Sequence, residues 1–272
     1  MSFFTPFAFV NQVSTIANDP DAQNFINATG ISGATATAIN TLVLSLKNDG
    51  IFSKLYALYP FVGTTSGSQS YNLINTGSNQ MLWSGGMSFS VSGAAGNGSN
   101  AYGNTQFPNG TWPQNSLMSG FIQATANTPA KTEEILVGYY REGYMSVQLA
   151  TNFGPTTPAT YFVRAGQAGG GQKSGTNTGG AIGYFMVTRT NAASGSYIRN
   201  STVLRTIDGS YTRDSGSTEP VFFFTFNSNG SVYTNSYANQ RLTAGFIGSG
   251  FTLTESDLLS GSLVTFNNSL GR

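Results

Sequence analysis

Cysteine and histidine are both absent from this 272-residue sequence. Without cysteine there are no disulfides, no zinc–thiolate sites and no CxxC redox chemistry. Without histidine, Ser-His-Asp and Cys-His nucleophilic arrangements are impossible. Charge is scarce too: 8% of residues are Asp, Glu, Lys or Arg, against roughly 25% in ordinary globular proteins. Twelve basic and eleven acidic residues leave a formal net charge of +1. That builds no basic field for nucleic acid. Arg189, Arg199, Arg205 and Arg213 come nearest to a patch, and they read as dispersed strand-face arginines. Long apolar runs are also missing. No stretch approaches the ~20 residues of a membrane-spanning helix, and the opening MSFFTPFAFV has no basic n-region of a secretory signal.

Gly, Ser, Thr, Asn and Gln take the place of charge. Hydrophobic residues make up 39%, enough for a packed core, with 34 Gly, 20 Phe and 13 Tyr. Aromatic and β-branched residues favour strands, and Gly, Asn and Ser favour turns, so the composition reads as mainly β. The length suits one large β-sandwich or two small domains.

Residues 34–48 predict a helix. Ile39, Leu42, Val43 and Leu46 fall at i, i+3, i+4 and i+7, and Gly50 follows as a stop. Ile51, Leu55 and Leu58 extend a second, shorter helical pattern up to Pro60. From about Met81 to Gly250 the period becomes two. Met87, Phe89 and Val91 alternate with serines, and further runs centre on 117–124, 135–141, 144–150, 161–164, 182–190, 196–200, 203–207, 221–226, 231–234 and 241–247. Glu142-Gly143 and Asn229-Gly230 read as tight hairpins. Residues 165–180 form a Gly-rich loop joining strands. Near the end, Thr254 and Asp257 approximate a capping box. Leu259, Leu263, Phe266 and Leu270 then make the apolar stripe of a last helix. Many short strands with turns between them predict a sandwich or jelly roll.

Carboxylate pairs are the remaining route to acid–base catalysis, but the single E-x-D run, Glu255-Ser256-Asp257, falls outside the expected strands. Glu133 and Glu134 are adjacent, so on a strand they face opposite ways, and Glu255 and Asp257 sit in a helix's first turn. GGGQKSG (169–175) fails the phosphate-loop rule because Gln172 separates Gly171 from Lys173. Asp19-x-Asp21 is a calcium fragment or, on the simpler reading, the cap of a helix starting near Ala22. Tyr102 and Trp112, in a polar stretch, are candidate carbohydrate-binding residues; the alternative is that both anchor a long loop. Asn109-Gly110-Thr111 forms an N-x-[ST] triplet of the kind so Asn- and Thr-rich a chain produces by chance. Phe3, Phe4, Phe7 and Phe9 are candidate subunit contacts, on an apolar arm that packs on its own domain or on a neighbour.

Two stretches carry a resemblance. One is FINATGISGATATAINTLVLSLKNDGIFSKLYALYPFVGT (25–64). The other is GYFMVTRTNAASGSYIRNSTVLRT (183–206), continued by YANQRLTAGFIGSGFTLTESDLLSGSLVTFNNSLGR at the end. Together they resemble a family of tailed-bacteriophage structural proteins with a concanavalin A-like (LamG-type) sandwich. In that family a TGI-helix-LK-x-x-GI segment ending in YPFVG precedes the sandwich, and an amphipathic helix ending in LGR closes it. Residues 90–180 match only in character. Arg199-Asn200-Ser201 stands where the family usually has Asn-Gly, and the run Phe222-Phe223-Phe224 is heavier than expected.

The resemblance implies a concanavalin A-like jelly roll with short flanking helices. An arm would occupy 1–21, a helical segment packed on the sandwich 22–62, and the LamG-like sandwich with its terminal helix 63–272. The expected function is a non-catalytic virion structural protein of capsid, neck or tail, not an enzyme, working through contacts with other virion proteins and copies of itself. The alternative is a carbohydrate-binding host-attachment module on the particle surface, with host glycans as partners. Neither reading requires a cofactor, a metal, nucleic acid or a membrane span.

Overall fold

The computed structural model describes residues 17–126, 133–142, 144–153, 160–167, 172–176, 182–208 and 216–272. Phe3, Phe4, Phe7, Phe9, Gly143, Arg213 and the glycines at 169–171 lie outside the described residues. Three α-helices are α1 (Pro20–Thr29), α2 (Gly33–Asn48) and α3 (Leu253–Ser269). The strands in chain order are β1 (Leu55–Tyr59), β2 (Leu82–Ser84), β3 (Ser88–Ser90), β4 (Gly93–Ala95), β5 (Tyr102–Pro108), β6 (Leu117–Gln123), β7 (Glu133–Tyr140), β8 (Met145–Phe153), β9 (Thr160–Gln167), β10 (Gln172–Thr176), β11 (Gly183–Arg189), β12 (Ser194–Arg199), β13 (Thr202–Asp208), β14 (Pro220–Phe223), β15 (Asn227–Ser228), β16 (Ser231–Val232) and β17 (Arg241–Gly248).

These strands form two sheets of a β-sandwich. The first has eight strands in the order β13-β12-β11-β6-β17-β4-β3, with β1 also paired to β17. The second has nine in the order β10-β9-β8-β7-β14-β5-β2, with the β15–β16 hairpin beside β7. One core lies between the sheets, uniting Phe121, Phe185, Val187, Leu242 and Ile247 of the first with Val137, Leu149, Val163 and Phe223 of the second. A second core lies on the other face of the first sheet. There Met118, Ile122, Tyr184, Met186, Ala244 and Phe246 meet Ile39, Leu42, Val43 and Leu46 of α2 and Leu259, Leu263 and Phe266 of α3. The architecture is therefore three layers: helices, a helix-covered sheet, and an open sheet.

Local chemistry sets the element ends. Asp19 caps α1, its carboxylate accepting from the Asp21 N–H at 3.0 Å. Lys47 of α2 pairs with Asp19 at 2.7 Å and Asp21 at 2.5 Å, so both acids serve the helix and its neighbour. The α3 capping box is Thr252 with Glu255, two residues before the expected Thr254 and Asp257. The Thr252 hydroxyl accepts from the Glu255 N–H at 3.3 Å, and Glu255 accepts from the Thr252 N–H at 2.9 Å. The Asn229-Gly230 hairpin forms as expected between β15 and β16, with both residues at positive φ, 50° and 85°. Asn200 and Ser201 do the same between β12 and β13, at 44° and 66°, without a glycine.

Other expectations are corrected. The helical pattern at 51–58 is a short 3-10 turn, Phe52–Lys54, followed by β1. Both faces of β1 are buried: Ala57 and Tyr59 enter the inter-sheet core, while Leu55 and Leu58 join the helical side. A strand buried on both faces reads as a continuous apolar run, and periodicity then cannot separate it from a helix. Gln172–Thr176, inside the expected Gly-rich loop, is an edge strand paired to β9. Arg189, expected on a strand face, is buried and donates to the carbonyls of Ala165 (3.1 Å) and Ala192 (3.1 Å).

Arg272 ties the layers together. Its guanidinium donates to the carbonyl oxygens of Pro60 (2.7 Å), Phe61 (3.0 Å), Val91 (3.1 Å) and Thr243 (3.3 Å), and to Asn267 Oδ1 (3.0 Å). Burial lowers its pKa to about 10. Phe61 sits at φ 40°, a conformation costly for an aromatic residue, and the arginine bond to its carbonyl helps hold it there.

Two stability outcomes follow. Leu42→Ala and Leu263→Ala should each cost about 2–5 kcal/mol in denaturant unfolding; a change under about 0.5 kcal/mol would mean these stripes are not core. Arg272→Ala should cost about 1.5–3 kcal/mol. Arg272→Lys should not restore it, because one ammonium cannot span the acceptors of a planar fork.

Candidate functional site

The sandwich has two outer faces, and the helices cover only one. None of the three helices shares a hydrophobic cluster with the outer face of the nine-stranded sheet. That face carries a satellite cluster of its own: Ile135, Ala150, Phe162 and Phe226, with Tyr140 and Tyr233 packed against it. At its centre is a cleft of about 250 Å³.

Strand register assembles the cleft. Gln148 of β8 stands opposite both Gly138 of β7 and Arg164 of β9, and Ala150 stands opposite Phe162. With a two-residue side-chain period, Phe162 and Arg164 share a face, as do Gly138 and Tyr140. Gly138 is the key small residue. A Cβ there would lie 2.7 Å from the Phe226 Cβ, so only glycine lets Phe226 lie across the sheet.

The aromatic run 222–226 explains how Phe226 reaches this side. Phe222 lies against Tyr102 outside the inter-sheet core (ring centroids 5.2 Å), whereas Phe223 and Phe224 both belong to that core. Phe224 has φ 67°, which breaks the alternation. Phe226 then stacks on Tyr233 at 4.5 Å and meets Tyr140 edge-on at 6.5 Å. The β15–β16 hairpin supports Tyr233, whose N–H donates to the Phe226 carbonyl at 3.1 Å.

Arg164 lies over two rings, 5.0 Å from the Tyr140 centroid and 5.4 Å from that of Phe162. Its guanidinium is thereby fixed as a donor fork on an aromatic base. Partial burial lowers its pKa from the usual arginine value. Glu133 lines the same cleft, and burial raises its pKa above the ordinary carboxylate range. Ser228 and Gln148 complete the polar lining. The arrangement offers aromatic surface, amide and hydroxyl hydrogen bonding, one cation and one acid. That mixture suits a ligand with apolar C–H faces and many hydroxyls. Among the described residues no three acidic side chains come together as a metal site would need.

Of the two residues singled out from sequence, neither lines this cleft. Tyr102 is half-buried on the same outer face, beside Phe222 and Tyr237 (6.5 Å). Trp112 is fully buried, with its indole N–H donated to the Gly248 carbonyl at 2.8 Å and its ring edge-on to Phe107. It has no face to offer a ligand, and the loop-anchor alternative describes it. Asn109 is likewise fully buried, so its N-x-T triplet is inaccessible in the folded chain.

The residues that sequence reasoning missed are Tyr140, Phe162, Arg164, Phe226 and Tyr233. A signal existed: outward positions of β7 and β9 carry Tyr, Phe and Arg, where a plain solvated face would carry Ser and Thr.

No family model matches this chain, and no curated protein does. Solved structures do share its sandwich. A mutant of Trypanosoma rangeli sialidase displaying trans-sialidase activity aligns at TM-score 0.56 and 11% identity, over 84% of this chain and 39% of that one. Trypanosoma rangeli sialidase in complex with sialic acid aligns at 0.51 and 8%, over 83% and 38%. The botulinum neurotoxin serotype D binding domain aligns at 0.50 and 10%, over 78% and 52%. The chain thus spans between about two-fifths and about half of those chains, and at these identities the likeness is one of fold.

The raised pKa of Glu133 gives a pH outcome. Below about pH 4 the carboxyl is protonated in both states and burial carries no ionic cost. As pH rises the unfolded chain ionises first, so this stabilising contribution is lost through the folded-state pKa. Glu133→Gln should therefore gain stability relative to the parent between about pH 4 and pH 7, measured by denaturant unfolding across pH. A difference that stays flat would show the carboxyl to be well solvated.

Proposed function

We propose that this chain is a non-catalytic carbohydrate-binding module whose ligand occupies the cleft on the open sheet. One observation carries the reading: Tyr140, Phe162, Phe226 and Tyr233 form an aromatic floor with Arg164, Gln148, Glu133 and Ser228 around it. Sugar rings present C–H faces that pack on aromatics and hydroxyls that need donors and acceptors at the rim. The sialic acid complex of a sialidase that shares this sandwich is consistent with such a ligand. Among the described residues Glu133 is the only carboxylate in the cleft lining, whereas glycoside hydrolysis ordinarily needs two; that supports binding over cleavage.

The phage-like stretches supply the setting, attachment at a particle surface. They build the second half of α1, α2, β1, β11, β12, most of β13, β17 and α3, most of the helical layer and the covered sheet. The cleft comes mainly from β7–β9, in the region that matches the family only in character. A common scaffold with a divergent ligand face fits an attachment module. The second reading, a virion component acting through subunit contacts, is favoured by the exposed Leu44, Leu258 and Val264 on the helical layer.

A glycan array followed by calorimetry on the hits tests the proposal. Tyr140→Ala and Tyr233→Ala should each weaken binding about tenfold or more, equivalent to about 1.4 kcal/mol, while the protein still unfolds cooperatively; Tyr102→Ala should leave affinity as it is. Undiminished binding in both cleft variants would remove the cleft. Co-sedimentation with particles, with no glycan bound, would favour the structural reading. Sugar release abolished by Glu133→Gln would overturn the non-catalytic assignment.

A further inference from the structure

The cleft on the open sheet has two unlike ends. Among the described residues its lining holds one cation, Arg164, and one acid, Glu133. Strand register sets them apart. Arg164 stands opposite Gln148 and Gln148 opposite Gly138, so the arginine is level with Gly138 of β7. Glu133 opens the same strand, and its backbone lies about 16 Å from that level at the usual rise of a strand. Strand β9, which carries Arg164, is also two strands away from β7, about 10 Å across the sheet. Burial alone raises the Glu133 pKa, while that of Arg164 is lowered by burial with Tyr140 acting the other way. Neither group figures in the shift of the other.

Arg164 is placed for a planar anion. Its guanidinium lies 5.0 Å from the Tyr140 centroid and 5.4 Å from that of Phe162, so two rings hold the fork. Gln148, its neighbour across the ladder, adds an amide to the same end of the lining. A guanidinium meets a carboxylate through two parallel hydrogen bonds. Energetics select such a group over a neutral one. Arg164 is already partly desolvated. A neutral sugar seated over it would strip more water from the charge and return only neutral hydrogen bonds. A carboxylate replaces that lost solvation with an opposite charge. At the other end the same carboxylate would meet Glu133, of like sign, which costs binding energy. The cleft therefore also orients its ligand, acid group at Arg164 and hydroxyls toward Glu133.

We propose that the cleft selects a sugar carrying a carboxylate, such as a uronic acid, and that Arg164 sets this preference. The inference rests on the carbohydrate reading of the cleft and deepens it. The test is a glycan array in which every carboxylated glycan is paired with its carboxyl-reduced form, neutral but otherwise the same. The acidic member of a bound pair should bind about tenfold tighter or more, as expected for a hydrogen-bonded charge. In calorimetry on the strongest pair, Arg164→Gln should bring the two affinities within about twofold of each other by weakening the acidic member alone. Because a ratio is read within one variant, general loosening of the cleft does not mimic the result. Equal binding of both members, binding confined to neutral glycans, or a preference that survives Arg164→Gln would overturn this inference and leave the cleft a carbohydrate site. Absence of binding to every glycan, acidic or neutral, would instead remove the carbohydrate reading, and this inference with it.

Discussion

Strand β17 is buried on both faces, and the rest of the molecule is arranged around that constraint. Leu242 and Ile247 enter the inter-sheet core, while Ala244 and Phe246 meet the helices. Its neighbours β6 and β11 divide the same way, Phe121 and Phe185 inward, Ile122 and Met186 toward α2 and α3. A sheet apolar on both faces needs a layer on each side. The second sheet supplies one and the three helices the other. Once the helices are committed there, no helix among the described residues covers the remaining outer face, that of the nine-stranded sheet. It must be solvated or functional, and at its centre it carries rings in place of serines.

The two long helices were legible because their apolar residues recur on one stripe, with the other positions small or polar. Leu42 and Leu263 sit where the 3.6-residue period puts them. The alternating strands from Leu117 to Ile247 were legible for the corresponding reason. β1 was not: Leu55 and Leu58 fit a helical spacing as well as a strand's, and only the tertiary fact that Ala57 and Tyr59 face a second core decides it. The short strands β2, β4 and β10 were invisible because Ser, Gly, Ala and Gln give no periodic signal, and their pairing is set by longer neighbours. The α3 cap was displaced by two residues because Thr252-x-x-Glu255 and Thr254-x-x-Asp257 overlap. In the structure the former is also placed by Glu255 pairing with Lys54, at 2.5 Å.

The candidate site was less legible than the fold. Trp112 and Tyr102 stood out for lying in polar sequence, but polarity along the chain does not measure exposure in space. Trp112 is buried because Phe107 and the Gly248 carbonyl satisfy its ring and its N–H together. The cleft residues are 100 positions apart in places, joined by strand register and by two backbone events, the missing Cβ of Gly138 and the positive φ of Phe224. Neither event carries a distinct signature: Gly138 is one of 34 glycines, and Phe224 is the third of three consecutive phenylalanines. What made that run look heavy in sequence is what sends Phe222 and Phe226 outside while Phe223 and Phe224 stay within.

The two surfaces that matter therefore belong to different parts of the construction. The helical layer is held by Arg272, whose carbonyl acceptors come from the end of β1, the β3–β4 turn and β17, and by the Lys54–Glu255 pair. The cleft depends on none of these contacts. It is built from side chains that project away from a core already completed by their neighbours in the strand, Val137 and Tyr139 beside Gly138, Tyr161 and Val163 beside Phe162 and Arg164. Outward residues in such strands can change without disturbing the inward ones, because alternation separates the two faces.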